Sequence, residues 1–494
     1  MRLAIVNQSL SSAPILAAFE SYRGSIIDLD TGQIYGPATM ARHHAELGHA
    51  LVRAGMQPGE RVVMAIGNGP LFVCLLTAIL SRGGSPLLVH VKTPAAELRR
   101  YALRFGASWI VCDGWSADEL MAAEIVGAPL SRSLAADCLW STVDSADPSF
   151  ESRYPSLPGV PLHPTSGTTG VPKIAVRPGP AAIAEADHYI ATIGIDARDT
   201  ILVASPMSHA YAYGMGVMVP LASGANIVST RNFEAAAVRK ALVELGVTIL
   251  PAVPAMLDLL MFGAGDRLRG AARCVLTAGA PLPERTARRF FECAGQHVRP
   301  LYGTTETGGI SVGPADHALA SGGYVGPPMD GVEAEERRSS ADLPADTGVA
   351  KLYIRSSSMM AGYLGLGEID TAPLDDGWFL TGDLATRDAE GGIYLKGRHN
   401  EVINVGGLKV IPCEVEDVIA AAPGVQEVKV YAGEDRNGRQ FVKAAVVVAS
   451  SASAEQLQAH CERELVYYKR PRNVIVLDRL PRTPSGKIVV GQLP

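Results

Sequence analysis

The stretch Thr165-Ser166-Gly167-Thr168-Thr169-Gly170-Val171-Pro172-Lys173 decides how the rest of the chain is read. Small hydroxyls and glycines let a backbone wrap closely around phosphate, and Lys173 adds a positive charge. It is not a Walker A loop, because Pro172 stands where that motif needs glycine before lysine. Read alone, the stretch has a plain alternative, a flexible Gly/Thr linker.

On either side, short apolar runs alternate with helical periodicity up to about residue 390. Arg61-Val62-Val63-Met64-Ala65-Ile66 reads as a buried strand, and 108–112, 201–204, 248–250 and 274–276 as further strands. Residues 94–105 read as an amphipathic helix with Leu98, Tyr101, Ala102 and Phe105 on one face. Such alternation predicts an α/β fold with largely parallel sheets. Residues 141–164, rich in Ser, Pro and Asp, read as a loop, and the polar 335–347 as a surface turn. From Glu414 the texture changes to helix (414–421), strands (425–431, 441–449), helix (454–465) and strand (474–477). The expected architecture is a large N-terminal domain of layered α/β subdomains, residues 1–398. A smaller, mobile α+β domain follows at 399–494.

Three more stretches carry chemistry. In Tyr302-Gly303-Thr304-Thr305-Glu306 an aromatic can stack on a base, a hydroxyl can bond a phosphate and a carboxylate can hold Mg²⁺. The alternative is a polar turn with a buried tyrosine. In Gly377-Trp378-Phe379-Leu380-Thr381-Gly382-Asp383, followed by Gly397-Arg398, an Asp between turns can accept ribose hydroxyls and the Arg can reach a phosphate. The alternative is a β-turn Asp and a surface Arg. Pro481-Arg482-Thr483-Pro484-Ser485-Gly486-Lys487 ends in a lysine that, by itself, reads as solvated.

The 494 residues are too many for one core. A net charge of -6, from 44 basic and 50 acidic residues, argues against nucleic acid and anionic lipid as partners. The seven cysteines form no CxxC pair and read as scattered buried thiols in a reducing compartment. No signal-peptide core is seen in residues 1–20, and the longest apolar run, 70–80, is too short to span a bilayer. The expected location is the cytoplasm, with no membrane partner and with a homodimer as the assembly allowed for.

Together, in this order and spacing, the motifs resemble the adenylate-forming superfamily of acyl-CoA synthetases, adenylation domains and luciferases. Gly55-Met56-Gln57-Pro58-Gly59-Glu60-Arg61-Val62 is similar to that family's N-terminal signature. The resemblance implies an ATP-dependent enzyme that converts a carboxylic acid to an acyl-adenylate. It implies that Thr165, Ser166, Gly167, Thr168, Thr169, Gly170 and Lys173 handle the β- and γ-phosphates. Gly279, Ala280 and Pro281 back the adenine, Tyr302 stacks on it, and Gly303 and Thr304 are among the nucleotide-binding residues. Thr305 meets the α-phosphate, Glu306 holds Mg²⁺, and Asp383 and Arg398 contact the ribose. The catalytic set it implies is Lys487, His209 and Thr305. Asn400 stands where the family's hinge carries Asp or Lys, and Gly406-Gly407 resembles the loop lining the pantetheine tunnel. Ser205-Pro206-Met207-Ser208-His209-Ala210-Tyr211 resembles the acid-pocket segment of 4-coumarate ligases and luciferases. His209, Tyr211, Tyr213, Val253 and Ile310 then line the pocket, with Gly214, Gly216, Gly308 and Gly309 leaving room for a bulky apolar or aromatic acid. The alternative for His209 is a structural histidine on an apolar wall. The acceptor is the thiol of coenzyme A. A carrier protein's phosphopantetheine arm is the alternative, and a non-catalytic acid-binding sensor is a third reading.

Overall fold

The computed structural model describes residues 10–125, 127–131, 138–143, 153–165, 172–263, 268–315, 323–338, 343, 348–405, 408–436, 439–449, 453–483 and 488–494. Among these, two large sheets dominate. In one, Thr200–Val203 lies between Asn226–Ser229 and Ile249–Ala252. Beyond Ile249–Ala252, Cys274–Thr277 and Val298–Thr304 follow, all parallel. Gly308–Val312 then folds back antiparallel on Val298–Thr304. In the other sheet, Arg61–Ala65 pairs in parallel with Ser85–Leu88 and Trp109–Cys112. Leu162–Thr165 lies beyond Ser85–Leu88, also in parallel.

The apolar run of 70–80 becomes the helix Pro70–Ser81, in which every residue from Pro70 to Leu80 is buried. A helix apolar on all sides belongs inside a core, and twelve residues are too few for a bilayer. Among the described residues no helix is long and apolar enough to cross a membrane. Ala95–Phe105 forms where its periodicity predicts, burying Leu98, Ala102 and Phe105. It stops at Gly106, whose φ of 61° is the left-handed cap that glycine adopts without a Cβ clash.

Four expectations change. Between 324 and 398 most strands form an antiparallel sheet, with Ala350–Ser356 between Val332–Arg337 and Trp378–Arg387, and Ile393–Arg398 beyond. Among the described residues no crossover helix separates these strands, and they pair antiparallel. The tract read as a loop at 141–164 has strand at both described ends, in Cys138–Thr142 and Leu162–Thr165. Residues 335–337 belong to strand Val332–Arg337. Among the cysteines, Cys293 and Cys413 are only partly buried.

The last hundred residues have a core of their own, built from Ile403, Val410, Val415, Ile419, Val430, Val442 and Leu457. Helix Ala454–Glu464 begins at a capping box in which Ser453 Oγ accepts from the Gln456 amide and Gln456 reaches back to the Ser453 amide. This unit meets the rest of the chain where Ile411 packs with Val349 and Leu384.

Candidate active site

Parallel strands converge on the site. Residues 205–213 follow Thr200–Val203, Val253 follows Ile249–Ala252, and 279–281 follow Cys274–Thr277. The Thr305-Glu306 turn follows Val298–Thr304. In open α/β sheets ligands bind outside such carboxyl ends. Thr165 closes Leu162–Thr165 and pairs directly with Lys173 across an antiparallel hairpin. The phosphate stretch is therefore a hairpin connection. Its interior, 166–171, lies outside the described residues, as do Gly406, Gly407 and Lys487.

Asp383 is not a turn residue. It sits within strand Trp378–Arg387, directly across from Arg398. Arg398 Nε lies 2.8 Å from Asp383 Oδ1, and Tyr302 donates its hydroxyl to Asp383 Oδ2 at 2.5 Å. Burial, reinforced by the adjacent carboxylate, raises the Tyr302 pKa well above the ordinary phenol range. Thr381 Oγ accepts from the Asp383 amide and donates to the Leu352 carbonyl, which fixes the strand under the carboxylate. The Arg398 side chain stays 45% exposed, so the triangle opens to one side.

Glu306 sits in the tight turn between Val298–Thr304 and Gly308–Val312. Its Oε1 accepts from Tyr363 at 2.7 Å, and the Lys173 ammonium lies 4.8 Å from the centre of the Tyr363 ring. Tyr363 belongs to none of the motifs read from the sequence. Its strand Gly362–Leu364 pairs with Lys173–Val176 and so joins the phosphate hairpin to Glu306. Among the described residues no group of three His, Cys, Asp or Glu could hold a metal. One carboxylate with phosphate oxygens suits Mg²⁺, which keeps several waters and needs no protein cage.

On the acid side, His209 is the exposed N-cap of helix Ala210–Tyr213, its ring 5.8 Å from that of His90. It does not sit on a closed apolar wall. The chain then runs into a π-helix, Gly214–Met218, a form frequent at functional sites. Tyr213 is fully buried, edge-on to His163 with ring centres 4.7 Å apart.

The room expected at the four glycines is already taken. A Cβ on Gly214 would lie 2.7 Å from Glu185 Oε1, and one on Gly308 2.7 Å from Glu185 Cδ. Cβ atoms on Gly216 and Gly309 would strike Val203 and Tyr189. The glycines admit the protein's own side chains. Val253 borders Gly279, 3.7 Å from where a Cβ would stand, and Ile310 is fully buried. Asn400 lies in the short turn His399–Glu401, without a left-handed φ. Arg482 and Ile488 form an isolated bridge on either side of residues 484–487, which lie outside the described residues. Arg482 bonds Glu427, which faces Arg285 of the large domain at 3.8 Å.

Segments that follow parallel strands, together with Asp383 and Arg398 on the antiparallel sheet, gather the motif residues in the way of a ligand-binding α/β enzyme, and the comparisons give the class. Residues 25–364 match the AMP-binding enzyme family, and residues 414–487 its C-terminal domain. The chain belongs to the AMP-binding enzyme family. It is similar to a sulfoacetate–CoA ligase of Cupriavidus necator, 29% identical over 477 residues, 94% of this chain and 92% of that relative. A feruloyl-CoA synthase of an Amycolatopsis species is 29% identical over 499 residues, 99% of each chain. The crystal structure of ATP-bound MatB from Rhodopseudomonas palustris shares the fold, with a TM-score of 0.82 and 24% identity over 97% of each chain.

Proposed function

We propose that this chain activates a carboxylic acid with ATP, forming an acyl-adenylate and pyrophosphate, and transfers the acyl group to the thiol of coenzyme A. It is an AMP-forming acid–thiol ligase. The observation that carries the reading is the Tyr302–Asp383–Arg398 triangle beside the Glu306 turn, in a chain matched by the family along most of its length. A carboxylate is a weak nucleophile and the α-phosphorus is shielded by negative charge, so positioning and cationic neutralisation dominate. Tyr302 packs the adenine, and Asp383 and Arg398 take the ribose. A carboxylate has about four lone-pair sites, so Asp383 can accept hydroxyls beside its present partners. Thr305 meets the α-phosphate. Glu306 would hold Mg²⁺, which supplies charge neutralisation on the phosphates when bound.

Lys487 bridges the acid carboxylate and the α-phosphate. His209, Tyr211, Val253 and Ile310 border the acid. The chain divides at 398/399, with Asn400 as hinge and Gly406-Gly407 beside the incoming thiol. The named relatives differ in their acids and share a carboxylate and coenzyme A, and these shared features are what the proposal adopts. The test is ATP–pyrophosphate exchange across a panel of carboxylic acids, followed by thioester formation with coenzyme A. Exchange with at least one acid, and its conversion to a thioester, is expected. No exchange with any acid overturns the reading.

A further inference from the structure

We propose that Glu185, held by Arg177, is a positioning residue that fixes the Thr305-Glu306 turn for adenylation; this rests on the function proposed above. Arg177 directly follows strand Lys173–Val176, and Glu185 lies on helix Gly179–Ile193. Their side chains are 0% and 1% exposed, and Arg177 Nη2 lies 2.8 Å from Glu185 Oε2. Glu185 Oε1 accepts from the Gly309 amide at 3.0 Å, just past the turn. The same Arg177 nitrogen donates to the Ser358 carbonyl at 3.2 Å, and Ser358 Oγ donates to the Thr307 carbonyl at 2.7 Å. Met360 donates its amide to the Glu306 carbonyl at 2.7 Å. The turn is thus held by its backbone from both sides, while Tyr363 holds one oxygen of the Glu306 carboxylate.

Gly308 makes this possible. It has a φ of 72°, and its missing Cβ leaves the space the Glu185 carboxylate fills. A buried ion pair is weak support for stability, since apolar pairs of similar volume often fold as well. What the apolar pair cannot do is accept a hydrogen bond from Gly309. The carboxylate is therefore explained by the tether it makes.

Two double variants separate tether from fold. Arg177→Met with Glu185→Leu removes the acceptor and leaves no lone buried charge. Arg177→Met with Glu185→Gln keeps an amide oxygen for Gly309. Both are measured for melting temperature and for ATP–pyrophosphate exchange. Similar melting temperatures are expected. The leucine variant should lose about 10- to 100-fold in kcat/KM for ATP, as a misplaced site does, while the glutamine variant stays within about threefold of wild type. Gly308→Ala, which drives a Cβ into Glu185 without altering either charge, should show the leucine-type loss and serves if that variant does not fold. Equal activity in both double variants, or an unaffected Gly308→Ala, overturns the positioning role alone. A wild type inert toward every acid overturns the functional reading and this role with it.

Discussion

Asp383 and Glu185 each hold an arginine, and the two pairs show how differently two neighbouring regions are built. Around Asp383 the arginine is 45% exposed, and the pair lies on adjacent strands of one sheet. Around Glu185 both partners are sealed, and glycines on two further elements make room for them. The first region presents its charges and the second uses them to hold backbone. Substitutions in the first should therefore alter chemistry directly. Substitutions in the second should act through geometry or stability.

The largest effect is expected at Lys487. Lys487→Ala should lower adenylate formation by about two to three orders of magnitude, the size of one lost transition-state charge contact. Thioester formation from pre-made acyl-adenylate should be largely spared. Equal loss in both half-reactions, measured separately, would remove Lys487 from the open region's chemistry.

Asp383→Asn comes next. It leaves Arg398 without its ionised partner and weakens the acceptor for Tyr302. The KM for ATP should rise about tenfold or more, in line with hydrogen bonds to charged groups, with the order of accepted acids unchanged. A changed acid preference would erase the division between the two regions.

Tyr211→Ala probes the other wall. Tyr211 packs against the main core and follows the exposed His209 by two residues. Relative kcat/KM among acids from short aliphatic to polycyclic should shift by about tenfold, while the KM for ATP stays put. Unchanged acid preference with weakened ATP would place this segment on the nucleotide side.

The smallest effect concerns His163. It is fully buried, neither ring nitrogen has a hydrogen-bond partner among the described residues, and burial holds its pKa well below 6.5. The unfolded chain takes up a proton near 6.5 and the folded chain does not. Stability is thus full above about pH 6.5 and falls as pH drops toward the depressed folded value, by at most about 1.4 kcal/mol per unit. His163→Gln should remove about one proton from the acid-side slope, read from denaturant midpoints between about pH 6.5 and 5. An unchanged slope would mean that His163 is protonated in the fold.

The local patterns that repeat at 3.6 or 2 residues were readable from the chain: helix Ala95–Phe105, the buried strands near 62 and 275, and the compact C-terminal unit. The motifs from which the family is recognised were readable too, because each is a short contiguous run with distinctive composition. Periodicity and composition act between near neighbours, and a single sequence displays them. What joins distant segments was not readable. Asp383 lies opposite Arg398 only because two strands pair in one register. Tyr363 meets Glu306 57 residues away. Arg177 and Glu185 belong to no motif in the sequence, and only the fold buries both and sets them against Gly309 and Ser358. Glycine composition suggested empty space near the acid, but which atoms fill a missing Cβ depends on neighbours that only packing brings in.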